Sequence, residues 1–137
     1  MVIFIVANEK AKKRMRNEYD FLAGVTNRFR ALEILVGCEE SQEVTKALRE
    51  IGHNAKSCDI QECSGRMPEH HYQMDIFQVI RMQKWDRIIL HPPCTKIAVS
   101  GNRWYGMGQP RHQERIKAVQ WTQKLWNEAT SVCGAVA

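Results

Sequence analysis

From Ile34 onward, short apolar runs alternate with amphipathic stretches, and most runs end on a residue that can stop a strand or do chemistry. Ile34-Leu35-Val36-Gly37-Cys38 is continuous and apolar. A run of that length without polar alternation suits a strand buried on both faces. Residues 39–51 follow as a helix, with Val44, Ala47, Leu48 and Ile51 on one face and Gly52 where helices commonly stop. Residues 54–59 read as a second strand. Residues 61–70, with Gly65, Pro68 and several polar side chains, read as a loop. Residues 72–75 form a short third strand and 76–82 a short helix. Residues 86–91 carry Ile88-Ile89-Leu90 and form the clearest strand, stopped by Pro92-Pro93. Residues 95–111 are a long loop. Residues 114–128 are a helix with Ile116, Val119, Leu125 and Trp126 on or near one face, and 131–137 begin a fifth strand.

Strand–helix alternation with apolar strands predicts an α/β fold, with a parallel three-layer sheet of about five strands. In such sheets a ligand sits at the carboxyl ends of the strands, where the strand order reverses. The positions to read for function are therefore Gly37-Cys38-Glu39, Asp59, Asp75 and His91 to Cys94.

Charge divides the chain. Residues 1–30 carry seven Lys/Arg against three Asp/Glu, whereas residues 31–137 carry 13 against 12. This predicts a basic N-terminal extension, able to meet nucleic-acid phosphates, ahead of a domain at 31–137. The apolar start, Met1 to Ala7, is too short for a signal core or a membrane span. The five cysteines are odd in number, which predicts free thiols in a reducing cytoplasm rather than a secreted disulfide scaffold or a membrane protein. Cys58, Cys63, His70 and His71 make a poor zinc pattern, because adjacent histidines rarely reach one tetrahedral centre. No metal is expected.

Each strand end has its own chemistry. A helix start after Gly37 that carries Glu39-Glu40-Ser41 repels phosphate, which disfavours a dinucleotide and tolerates a cofactor with a cationic end. Asp59 is placed to accept the hydroxyls of a ribose. Asp75 could accept the amino group of an adenine. Pro92-Pro93 fixes the backbone and presents Cys94 at the mouth of the sheet. A thiol there becomes a nucleophile when nearby cations favour its thiolate, and Lys96 and Arg103 are the candidates.

These residues resemble the cytosine-C5 DNA methyltransferases. Residues 34–60 resemble the first two motifs of that family, and 72–75 the third. His91-Pro92-Pro93-Cys94-Thr95 and Ser100-Gly101-Asn102-Arg103 resemble its catalytic motif and active-site loop. The resemblance implies a Rossmann-like fold that binds S-adenosylmethionine through Gly37, Cys38, Glu39, Ser41, Asp59, Ile60, Asp75, Ile76 and Pro92. It implies Cys94 as nucleophile with Arg103 in the catalytic loop, and DNA contacts from Thr95, Ser100, Asn102 and Arg103. The target base would be flipped out of its duplex.

The sequence also departs from the family. Cys38-Glu39-Glu40-Ser41 replaces a glycine-rich turn, and Thr95 stands where glutamine is usual. The chain stops before the family's Glu-Asn step and target-recognition region. What is resembled is the N-terminal catalytic half, so the expectation is a truncated sheet that belongs to a fragment, a degenerate copy, or half of a split enzyme completed by a second chain. The alternatives are a catalytically inactive module that binds S-adenosylmethionine or nucleic acid, and an amino-methyltransferase. The latter normally places an aromatic residue after its Pro-Pro turn.

Overall fold

The computed structural model describes residues 30–137. The basic extension expected over residues 1–30 lies, but for Arg30, outside the described residues. The chain divides into two units between Arg30 and Ala31, and the second, residues 31–137, carries the fold.

Four strands form one all-parallel sheet: β1 (Glu33–Gly37), β2 (Asn54–Asp59), β3 (His71–Gln73) and β4 (Arg87–Leu90), in the order β3-β2-β1-β4. The helices are α1 (Glu43–Glu50), α2 (Ile76–Met82), the one-turn α3 (Asn102–Tyr105) and α4 (His112–Val132). Strand alternation separates two cores. Ile34 and Val36 face one way with Ala55, against Val44 and Leu48 of α1. Leu35 faces the other way and packs with Val79 and Ile80 of α2 and Leu125 and Ala129 of α4. The sheet thus has helices on both faces, as an α/β layer arrangement requires.

The chain steps outward from β1 to β2 to β3, then returns to pair β4 on the other side of β1. The strand order reverses between β1 and β4, and that reversal opens the crevice where such sheets bind ligands.

Several boundaries differ from the sequence reading. α1 begins at Glu43, not at residue 39, because Glu39 to Gln42 form a turn with Cys38 and Gln42 in left-handed backbone (φ 61° and 58°). Of the apolar residues expected on one face, Val44 and Leu48 pack on the core beside the fully buried Thr45, while Ala47 and, just past the helix, Ile51 (71% accessible) face solvent. Its end is well formed. Gly52, at φ 96°, donates to Arg49 O at 2.9 Å and His53 donates to Leu48 O at 3.1 Å, which satisfies the last carbonyls. β3 stops at Gln73, so Asp75 starts α2 instead of ending a strand.

The expected long loop at 95–111 contains a 3-10 turn (Val99–Gly101) and α3. The inward side of α4 also differs. Leu125 and Ala129 are buried, whereas Ile116, Val119 and Trp126 are exposed. The fifth strand expected at 131–137 is reduced to a bridge between Val136 and Ile88, because Ser131 and Val132 continue α4. Its backbone still pairs: Ile88 donates to Ala135 O (3.0 Å) and Ala137 to Ile88 O (2.9 Å). Among the described residues no helix is long and apolar enough to cross a membrane.

Candidate functional site

At the strand ends a cleft of about 340 Å³ is lined by Cys38, Cys58, Asp59, Ile60, Gln61, Met74, Asp75, Ile76, Pro93 and Trp121. Five residues predicted for a cofactor meet here: Cys38, Asp59, Ile60, Asp75 and Ile76. The two carboxylates are held alike. Oδ1 of Asp59 accepts from Gln61 N at 3.0 Å, and Oδ1 of Asp75 accepts from Phe77 N at 2.8 Å as the cap of α2. Each Oδ2 keeps its accepting capacity, with no protein donor among the described residues. Ile60 is 76% accessible beside these acids, an apolar surface left open to a ligand.

Both thiols in the cleft are held protonated. Burial pushes Cys38 up to about 11, helped by the negative charges of Asp59 and Asp75. Burial pushes Cys58 up to about 12, with Cys38, Asp59 and Asp75 adding to it. These thiols are inert lining, unlike thiolate ligands or nucleophiles. Residues of the poor zinc pattern are spent otherwise. Cys58 Sγ donates to Met74 O, and the two ring nitrogens of His71 bond Ser57 Oγ (2.8 Å) and Gln61 O (2.9 Å).

The remaining predicted cofactor residues have other partners or places. Gly37 is a packing glycine: a Cβ there would sit 2.7 Å from Ile76 Cδ1 and 2.9 Å from Leu90 Cδ2. The sharp turn falls on the next residue, Cys38, in left-handed backbone. Glu39, 6% accessible, turns its carboxylate onto the start of α1. Oε1 accepts from Val44 N (2.6 Å), while Oε2 accepts from Thr45 N (3.2 Å) and Thr45 Oγ1 (2.7 Å). Glu39 and Ser41 line a separate depression of about 290 Å³ that shares only Cys38 with the cleft. Of the two prolines, Pro93 lines the cleft and Pro92 does not.

Next to Glu39, the fully buried Gln42 clasps the loop that carries Ile60. Its Nε2 donates to Ser57 Oγ (3.1 Å) and Met67 O (2.8 Å), and its Oε1 accepts from Met67 N (3.0 Å). These bonds offset the cost of left-handed backbone at a non-glycine residue, on the order of 1–2 kcal/mol.

Cys94 is exposed and opens the next segment, its carbonyl accepting from Ile97 N (2.9 Å) and Ala98 N (2.8 Å). Sequence reasoning missed the residue that holds this segment. Arg115 on α4 donates through Nε to Lys96 O (2.6 Å), and through its terminal nitrogens to Ala98 O (3.0 Å) and Asn102 Oδ1 (2.6 Å). Asn102, predicted to meet DNA, spends its side-chain oxygen here. Gly101 packs against the Thr95 carbonyl so closely that a Cβ would overlap it.

Both cations expected beside Cys94 have other partners. Lys96 pairs with Glu114 at 2.8 Å, and Arg103 stacks 5.2 Å from the Trp104 ring centre. Arg111 also binds Glu114 (2.6 Å), and the hydrogen bonds from Arg111 and then Lys96 hold that carboxyl down at about 2. Thr95 and Ser100 line a depression with Trp104, Tyr105 and Arg111. Residues 94–124 carry six basic residues against Glu114 alone. The near-neutral balance of the whole domain conceals this local excess.

Trp121 and Pro93 also line a second cleft of about 470 Å³, with Thr95, Lys96, Ala118 and Thr122. The spacing of Ala118, Trp121, Thr122, Leu125 and Ala129 is helical and could have revealed this inner face, but the larger side chains outside it gave the stronger signal. No protein-family model matches the chain, and no curated protein or solved structure matches it either.

Proposed function

We propose that residues 31–137 form the cofactor-binding and nucleophile-bearing part of a cytosine-C5 DNA methyltransferase that uses S-adenosylmethionine. The observation that carries this reading is the cleft at the strand-order reversal, where Asp59 and Asp75 each keep an accepting oxygen beside open apolar surface. Ribose hydroxyls and an adenine amino group are donors that such oxygens satisfy. A phosphate-bearing cofactor fits worse, because Glu39 already occupies the first amides of α1, where a phosphate would bind. Asp59 and Asp75 would hold the nucleoside, with Ile60 and Ile76 against its rings. When bound, S-adenosylmethionine supplies an electrophilic methyl group.

The chain's own chemistry centres on Cys94. The exposed thiol loses its proton to solvent, and the thiolate adds to C6 of a cytosine extruded from the duplex. The C5–C6 double bond opens and C5 becomes the nucleophile. Once C5 is methylated, its proton is lost to solvent and the Cys94 thiolate leaves, which restores the double bond. Covalent addition thereby replaces one hard substitution with easier steps. The basic segment at 94–124, with Arg103 stacked on the exposed Trp104, supports contact with the DNA backbone.

The test is capture of a duplex that contains 5-fluorocytosine in the presence of S-adenosylmethionine. Fluorine at C5 blocks the final elimination, so a covalent adduct should persist in denaturing gels and vanish in Cys94→Ser. An adduct that survives Cys94→Ser, or none formed even when a second chain supplies the family's C-terminal half, would contradict the assignment of Cys94.

A further inference from the structure

Trp121 and Pro93 each line two clefts: the acid-lined one at Asp59 and Asp75, and the one beneath the segment that follows Cys94. The Trp121 ring is braced. Phe77 meets it nearly perpendicular, at 87° with ring centres 5.8 Å apart, and Phe77 itself packs on the main core. The Lys124 ammonium lies 4.9 Å from the Phe77 ring centre and confines that ring further. Yet Trp121 remains 37% accessible, so the braced indole still offers surface to the clefts. A fixed aromatic surface beside hydrogen-bond acceptors is what a flat heterocycle with donor groups needs.

We propose that Trp121 is the stacking platform of the site, against which the purine ring of a nucleoside-bearing ligand lies when its donor groups are held by Asp59 and Asp75. This rests on the S-adenosylmethionine reading of the cleft and adds a binding residue contributed by α4 and not by the residues that follow a strand. Because the indole is also a wall of the second cleft, a ring stacked on one side steadies the pocket next to Cys94. The proline at position 93 contributes the other shared wall and is rigid by its own chemistry.

The test titrates S-adenosylhomocysteine into the full chain, its Trp121→Phe variant and its Trp121→Ala variant, by calorimetry and by tryptophan emission. Stacking losses of this kind are commonly tenfold or more, so Trp121→Ala should bind about tenfold more weakly. Trp121→Phe keeps a ring and should bind within about threefold of the native chain, but should lose most of the ligand-induced change in emission. Matching melting curves for the two variants separate a binding defect from a folding defect, and Trp121→Phe keeps the question open to test if Trp121→Ala fails to fold. Native affinity in Trp121→Ala, or an unchanged emission response in Trp121→Phe, overturns the role of Trp121 and leaves the cofactor reading standing. No binding by the native chain overturns both.

Discussion

The carboxylate of Glu39 closes on Thr45, where Oε2 accepts the hydroxyl at 2.7 Å and the amide at 3.2 Å. Glu39 is separated from α1 by a three-residue turn, yet does the work of a helix cap, and both partners are buried.

Removing that cap should destabilise the domain. Glu39→Ala leaves the first amides of α1 and the buried Thr45 hydroxyl short of a partner, at a cost of about 1–3 kcal/mol. Glu39→Gln keeps an acceptor oxygen and should cost less. Denaturant unfolding measures both, and affinity for S-adenosylmethionine should stay within about twofold in the folded Gln variant, well short of the tenfold that 1.4 kcal/mol represents. Unchanged stability with lost affinity would place Glu39 in the ligand site instead.

Thiol chemistry should separate Cys94 from Cys38 and Cys58. Near neutral pH an alkylating reagent should modify the exposed Cys94 quickly, while Cys38 and Cys58 stay protonated and protected. Folding raises the pKa of both thiols, so it favours the neutral form. That stabilisation is complete below the ordinary thiol value of 9.0 and is lost as pH rises through about 11 and 12. Peptide mass mapping across pH 7–11 would read the order of modification. Cys38 or Cys58 reacting as fast as Cys94 at neutral pH would contradict the burial described.

Arg115 should control the segment after Cys94. Its three hydrogen bonds to Lys96, Ala98 and Asn102 depend on a planar fork that lysine cannot reproduce. Arg115→Lys and Arg115→Ala should both speed amide exchange at Ile97, Ala98 and Gly101, with a stability loss of about 1–2 kcal/mol for alanine. Exchange as slow as in the native chain would show that the segment holds itself.

Much of this arrangement is legible in the sequence, and the failures share a cause. β2 begins and ends where its residues suggest, and the Pro92-Pro93 stop marks the end of the strand that leads to Cys94. Asp59 can be found because strand periodicity and turn chemistry are local; Asp75 is found although it caps α2 and ends no strand, and Ile60 and Ile76 come from the family resemblance alone. Glu39 is misjudged because its partner lies six residues on, across a left-handed turn that no local preference announces. Trp121 is missed because the face a helix buries depends on what packs against it. Arg115 is invisible for a similar reason, since it binds carbonyls that any sequence has.

Everything proposed for this domain depends on the Asp59–Asp75 cleft holding S-adenosylmethionine, and calorimetric titration of the full chain is the decisive measurement. Binding should be saturable and one-to-one, weakened by about 1–3 kcal/mol in Asp59→Ala, the loss of charge-assisted hydrogen bonds. Asp59 caps no helix, so this variant should melt near the native temperature. No binding, or equal affinity in Asp59→Ala, would contradict the assignment of the cleft.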